Sequence, residues 1–363
     1  MTTTTGRTPQ PSQDALAAIE QPLSKAALPR WAPWGVLAAA VVVALAVLLP
    51  GGTSVAAVAV LAGLLHLLLI GVVSRVKEGG RKAADRLVTA LVTMAFLIAM
   101  VPLVSVVWTV VSRGAARFDA TFFTYSMQGI VGEGGGGLHA IWGTVIVTLL
   151  ATVISVPIGL MTAVYLVEYG GKSALSRAIT FLVDVMTGIP SIVAGLFVVA
   201  LFALLVGPRP RIALMGAIAL SVLMIPVVVR STEEMLKLVP NDLREAAYAL
   251  GVPKWRTIVK VVLRTSLSGI ATGVTLAVAR VAGETAPLLL TVGLATRTNF
   301  DPLVGQIATL PVFAYYQYTQ PGVPAQAGVD RAWTAALVLI ILVMALNLVA
   351  RLISRYFSPK GGR

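Results

Sequence analysis

Arg280 and Glu284 stand four residues apart inside an apolar run, Ala279-Arg280-Val281-Ala282-Gly283-Glu284-Thr285-Ala286-Pro287-Leu288. On one helix that spacing puts both side chains on the same face, where they can pair. A charge at the centre of a membrane helix costs about 2.5–3.5 kcal/mol on insertion scales, and such residues face a bundle interior or a wet cavity. Two readings stand. In one, the pair is a structural ion bridge that locks its helix to a neighbour. In the other, Arg280 lies on a permeation path, where a planar guanidinium grips an oxyanion through paired N–H donors. Glu284 then holds Arg280 whenever the anion is absent.

A second polar set interrupts another apolar run: Asp184, Thr187, Gly188, Pro190, Ser191 and Gly195. Asp184 lies about 10 Å past Arg177 by helical rise, close enough to reach the membrane interface. A buried cap or a partner for a basic residue therefore stands beside a pathway role. Thr187 and Ser191 offer hydroxyl donors to an anion, or bond the carbonyls of their own helix. Arg230 closes the next run, either as a snorkelling anchor or as an exit-gate contact.

The third set is polar and lies outside any apolar run: Asn241-Asp242-Leu243-Arg244-Glu245-Ala246-Ala247-Tyr248-Ala249-Leu250-Gly251. Asp242 and Glu245 have the spacing of a capping box. Gly251 supplies a left-handed C′ residue, and Pro253 forbids continuation. Leu243, Ala246, Ala247 and Leu250 fall on one face, where small side chains let another protein approach closely. A membrane protein that presents a rigid, capped helix to the aqueous phase is pushed by something.

Other chemistry is excluded. The chain has no cysteine, hence no disulfide, thiolate metal site or cysteine nucleophile. His66 and His139 are too far apart to form a ligand pattern, so no metal is expected, and His66, among leucines, reads as a satisfied helix-packing residue. Gly170-Gly171-Lys172-Ser173 looks like the end of a Walker A motif, but Leu166 occupies the place of its first glycine, so it reads as a turn. The loop Gly132-Glu133-Gly134-Gly135-Gly136-Gly137 lacks the strand and Gly-Lys-Ser of a phosphate cradle and reads as external and flexible. Tyr315, Tyr316 and Tyr318 suit a headgroup layer or the docking of an extracellular partner. Without a nucleotide motif the chain needs no cofactor of its own, and any ATP is hydrolysed on another polypeptide.

The elements that must position these residues are membrane helices. Of 363 residues, 57% are hydrophobic and 12% charged, with mean hydropathy +0.90; soluble domains carry about 25% charged residues. Apolar runs of spanning length fall at about 34–50, 54–73, 87–111, 139–166, 177–206, 211–229, 257–292 and 333–354. The first two are joined only by Pro50-Gly51-Gly52-Thr53, a tight hairpin. The seventh, as one straight helix, would be about 54 Å long, against a hydrocarbon core of roughly 30 Å. Gly283 and Pro287 therefore predict a break near its outer end, and broken helices in transporters lie beside substrate routes. Of 28 Lys and Arg, 21 fall in one set of flanking segments. Arg113, Arg117, Arg209, Arg211, Arg297 and Arg331 fall in the alternate loops, and Arg280 lies within a span. This asymmetry places both termini and the 230–256 loop in the cytoplasm and assigns the net charge of +13 to orientation rather than to nucleic acid. Residues 1–33, rich in Thr, Pro, Gln and Ala, read as a flexible tail and not as a secretory signal.

Glu245-Ala246-Ala247, three residues, then Gly251 resembles the EAA loop of ABC-importer permeases, the coupling helix that sits in a cleft of an ATPase subunit. The family pattern continues nine residues after the glycine with an aliphatic residue and then Leu-Pro; here Val261, Leu263 and Arg264 stand there, so the proline is replaced. The flanks Arg230-Ser231-Thr232-Glu233-Glu234-Met235-Leu236-Lys237-Leu238-Val239-Pro240, the Arg280 run quoted above and Tyr165-Leu166-Val167-Glu168-Tyr169-Gly170 resemble the PstA-type permeases of phosphate importers. The similarity covers about residues 85–363. It implies an all-α integral membrane protein, a type I ABC-importer bundle of six core helices plus an N-terminal two-helix hairpin. Three regions follow: a tail over 1–33, the extra hairpin and basic loop over 34–84, and the permease domain over 85–363 with its coupling helix at 242–251. The resemblance implies ATPase coupling through Asp242, Glu245, Ala246, Ala247 and Gly251. It also implies a translocation pathway touching Arg280, Glu284, Arg230, Asp184, Thr187 and Ser191. The implied partners are a homologous PstC-like permease, two PstB-like ATPase subunits, an extracytoplasmic PstS-like phosphate-binding protein and the lipid of a bacterial cell membrane. Rival readings are a permease for sulfate or molybdate, an ion-coupled secondary transporter, which leaves the Glu-Ala-Ala helix unexplained and usually shows internal repeats, and a membrane scaffold.

Overall fold

A computed structural model describes residues 28–48, 54–207 and 211–357. The expected tail up to residue 27, the hairpin turn at 50–53 and Arg209 lie outside the described residues. Every regular element among the described residues is helical, and six helices are long and apolar enough to cross a membrane. The chain divides into two compact units at Val106/Val107.

The first unit holds α1 (Ala32–Leu48), α2 (Val55–Lys77) and the start of α3 (Gly80–Gly114). At 17 residues α1 falls short of the ordinary span of about 20; it packs along α2. The Ser54 hydroxyl caps α2 by accepting from the Ala57 N–H at 3.3 Å. At the far end of α2 a carboxylate gathers the chain. Glu78 accepts from Arg86 Nε and Nη2 at 2.5 and 2.9 Å, from the Ser74 hydroxyl at 2.7 Å and from the Leu28 N–H at 2.7 Å. The end of the tail is thus tied to the α2–α3 turn. His66 departs from expectation, because its Nδ1 is buried with no hydrogen-bond partner; the leucine-rich sequence around it offers no polar group.

In the second unit the short α4 (Ala120–Thr124) precedes α5 (Leu138–Val164), which runs on through a π-helical turn, Tyr165–Tyr169. It packs along α8 (Ala213–Lys237), the most enclosed of the spans. Leu220, Met224 and Val228 of α8, at intervals of four, join Val147 and Ala151 of α5 and Ala277 and Val281 of α11 (Leu263–Ala282) in the main core. Burial of such side chains in membrane bundles gains by close packing rather than by expulsion of water. On α11, Gly269 and Gly273 give the backbone room: a Cβ at either would lie 2.2 Å from the Met235 sulfur or 2.4 Å from the Ser231 hydroxyl of α8.

Two of the apolar runs are broken, the first against expectation and the second as expected. Residues 177–206 form α6 (Ala174–Thr187) and α7 (Ser191–Leu205), which meet at 110°. Pro190 has no N–H and turns Ile189 away from helical geometry, so the break falls there. The run 257–292 becomes α10 (Lys254–Thr257), a second π-helical turn at Ile258–Val262, then α11, which ends at Ala282, and the short α12 (Ala286–Thr291). The break is where Gly283 and Pro287 predict it. The Gly-Gly-Lys-Ser stretch is a turn, with Gly171 at φ +48° and Ser173 capping α6.

The glycine loop before α5 is anchored rather than loose. Arg331, buried near the start of α14 (Ala325–Phe357), donates to the Gly132 and Gly134 carbonyls at 2.8 and 3.0 Å, and Arg117 to that of Gly135 at 3.0 Å. Glycine carbonyls left bare by the absence of side chains are what the two guanidiniums bind. Tyr315, Tyr316 and Tyr318 lie on α13 (Leu310–Thr319), with Tyr315 and Tyr318 exposed.

Candidate functional site

The polar segment forms α9, Asn241–Ala249, between α8 and α10. Its C-terminus is as expected. Gly251 sits at φ +72°, its N–H bonds the Tyr248 carbonyl at 2.9 Å, and the Val252 N–H bonds that of Ala247 at 3.1 Å, the paired closure of a Schellman end. Its N-terminus is not. The residue before the helix is Pro240, which makes no side-chain cap, so the capping box of Asp242 and Glu245 does not form. Helix begins one residue ahead of Asp242, leaving that carboxylate in the first turn, where it still complements the helix dipole.

Ala247 is buried against the body of the protein, whereas Asp242, Leu243, Glu245, Ala246, Tyr248, Leu250 and Gly251 are exposed, Leu250 at 83%. The expected single apolar face is split, with Ala247 turned inward and the other three available to a partner. α9 is held from beneath by Arg244. Its guanidinium donates to Glu168 at 2.8 and 3.1 Å, to the Leu236 and Val239 carbonyls at 3.0 and 2.6 Å, and to Asn241 Oδ1 at 3.3 Å. Both charged side chains are nearly enclosed, 13% and 5% exposed, and removing one partner of such a pair costs about 3–5 kcal/mol. Just past the end of α9, the Lys254 ammonium lies 4.8 Å from the ring centre of Tyr169, a contact of about 0.5–1 kcal/mol when exposed. Sequence reasoning missed both contacts. Seventy-six residues separate Arg244 from Glu168, and no local spacing rule joins them.

Within the membrane-length helices the charges sort differently from expectation. Arg280 and Glu284 do not pair, because α11 stops at Ala282 and the four-residue register ends with it. Arg280 is exposed and has no ion-pair partner among the described residues; Glu284 is half-buried beyond the break. Thr272, Leu276 and Arg280, all exposed, fall on one side of α11, within about 80° of helical rotation. A lipid-facing side would be apolar throughout, and this one carries a guanidinium and a hydroxyl.

Asp184 and Arg230 are brought together. Arg230 Nη2 donates to Asp184 of α6, Arg230 Nη1 donates to Glu233 at 2.7 Å, and Lys237 donates to Glu233 at 2.7 Å. Charges alternate along this chain, so Arg230 is neutralised by two carboxylates while Arg280 is not. The Thr187 hydroxyl donates to the Asp184 carbonyl at 2.6 Å, the backbone alternative weighed for it. Ser191 opens α7 and is half-buried. One turn on, a Cβ at Gly195 would lie 2.8 Å from Cα of Pro287, so the two broken helices meet backbone to backbone.

A bundle of membrane-length helices, with two broken runs that meet at Gly195 and Pro287 and an exposed helix between two spans, has the build of a multi-pass membrane protein. Residues 155–361 match the family described as binding-protein-dependent transport system inner membrane component, and the chain belongs to it. It is 47% identical over 276 residues to phosphate transport system permease protein PstA 1 of Mycobacterium tuberculosis, covering 75% of this chain and 89% of that one. It is 40% identical over 280 residues to PstA of Yersinia pestis, covering 77% and 92%. A bacterial alginate ABC transporter, solved with an alginate-bound periplasmic protein, shares the fold: TM-score 0.56 at 14% identity, over 77% of this chain and 97% of that one.

Proposed function

We propose that this permease forms part of the translocation pathway for inorganic phosphate in an ATP-driven importer. The observation that carries the reading is the Arg280 guanidinium, exposed on a membrane helix without an ion-pair partner among the described residues. An uncompensated charge there needs water, an anion or a partner chain rather than lipid, and a guanidinium suits an oxyanion. The names of the relatives support phosphate over sulfate or molybdate.

The termini and α9 face the cytoplasm, as the Lys and Arg distribution supports. A second, PstC-like permease completes the pathway beside α11. Two PstB-like ATPase subunits engage one coupling helix from each permease, and a PstS-like protein delivers phosphate outside. ATP binding closes the ATPases, presses on Asp242, Glu245, Ala246, Ala247 and Gly251, and favours the outward-open state. That step requires the outward state to bind the closed ATPase pair better than the inward state does. Arg280 holds phosphate near the break; Thr187, Ser191 and Glu284 border the route; Arg230 and Asp184 form a paired gate at its cytoplasmic end.

The test is uptake of labelled phosphate into proteoliposomes holding the assembled importer, with sulfate or molybdate in excess. Uptake unaffected by either is the expected result. Strong inhibition by one of them reassigns the substrate to that anion.

A further inference from the structure

We infer that Arg244, Glu168, Lys254 and Tyr169 form a clamp that transmits movement of α9 to the paired helices α5 and α8, so that they are positioning residues for transport. α9 is joined to α8 and α10 by short links, and a helix held only by its links could tilt under a push without moving anything else. Four features prevent that. Arg244, at the start of α9, bonds Glu168 in the π-helical turn that ends α5. The same guanidinium caps the end of α8 by donating to the Leu236 and Val239 carbonyls, where a positive charge also complements the helix dipole. Lys254, just past the end of α9, lies over Tyr169 of the same turn. Ala247, between the two, is buried.

The turn at Tyr165–Tyr169 is therefore gripped near both ends of α9, by a buried ion pair from its first turn and a cation–π contact from just past its end. A π-helical turn is a local departure from the i→i−4 ladder, and such turns recur at functional sites; here the Gly170 N–H reaches back to the Tyr165 carbonyl at 2.6 Å. Because α5 and α8 pack along each other, a displacement of α9 carries both. α8 also bears Arg230, which pairs with Asp184 of α6, so the clamp connects the aqueous helix to that gate.

This inference rests on the ATP-driven reading above. The test uses the full importer in proteoliposomes with Glu168→Gln, Tyr169→Leu and the double variant, measuring bound ATPase, ATP hydrolysis and phosphate uptake together. Tyr169 is half-exposed, so its variant keeps the measurement alive if Glu168→Gln fails to assemble. The expected result is an assembled complex that still hydrolyses ATP. The ATP consumed per phosphate rises in each single variant and by about tenfold in the double, the scale of coupling between contacting groups. An unchanged ratio in every variant that assembles overturns the clamp, even if uptake falls in proportion to lost complex. Wild-type importer that takes up no phosphate with ATP overturns the ATP-driven reading instead.

Discussion

Glu78 is a carboxylate whose setting outside the spans makes its charge state matter. The Arg86 guanidinium bonded to it, helped by the Ser74 hydroxyl and the Leu28 N–H against the opposing effect of burial, holds its pKa down to about 2. Because the folded value is depressed, its contribution to stability is complete above the ordinary value near 4.5 and is lost as pH falls toward about 2. Protein in detergent should therefore release the Leu28 segment to protease across that window. Glu78→Gln should release it at neutral pH and flatten the dependence, and identical pH profiles for both proteins would contradict the assignment. Single residues were legible where charge type conflicts with an apolar surrounding: Arg280, Asp184 and Arg230 stand out on that ground alone. Their partners were not. Glu284 dropped out when α11 ended two residues before it, and Asp184 found Arg230 across 46 residues.

At the scale of elements, α11 and α8 meet through Gly269 and Gly273, four residues apart, in the small-residue manner of membrane helices. Valine at either place would drive Cβ into Met235 or Ser231; overpacking of this kind costs about 1–3 kcal/mol. Thermal unfolding in detergent should show Gly273→Val melting below wild type, and an unchanged Tm would mean that the helices part without cost. The end of α9 was written in Gly251 and Pro253, because a left-handed residue and a missing N–H act locally. Its beginning was not, since Pro240 displaced the start by one residue and left Asp242 and Glu245 without a box to close. The polar interruption around Pro190 was visible as composition, but the 110° turn was not, and the close approach of Gly195 to Pro287 joins segments far apart in sequence.

For the whole molecule, orientation and partnership decide what the sites mean. The absence of cysteine from the sequence provides a clean background for labelling. An impermeant thiol reagent should reach Val131→Cys, almost fully exposed, in intact cells, and Lys172→Cys only after the membrane is opened; the reverse pattern would invert the topology. Among the described residues the eight apolar runs map onto helices, two of them onto broken pairs and the first onto a helix of only 17 residues, because hydropathy is a property of the chain itself while its breaks depend on packing. What Thr272 and Arg280 of α11 face was not readable, since no local spacing rule names the surface opposite an exposed side chain. The most direct test of the account compares Gly251→Asp with Arg280→Gln, following phosphate uptake and ATPase recruitment to the membrane together. The account predicts that Gly251→Asp loses the ATPase. Arg280→Gln should keep it yet lose uptake by about tenfold or more, given roughly 1.5–3 kcal/mol for hydrogen bonds to a charged group. Normal phosphate import by both variants would contradict the account.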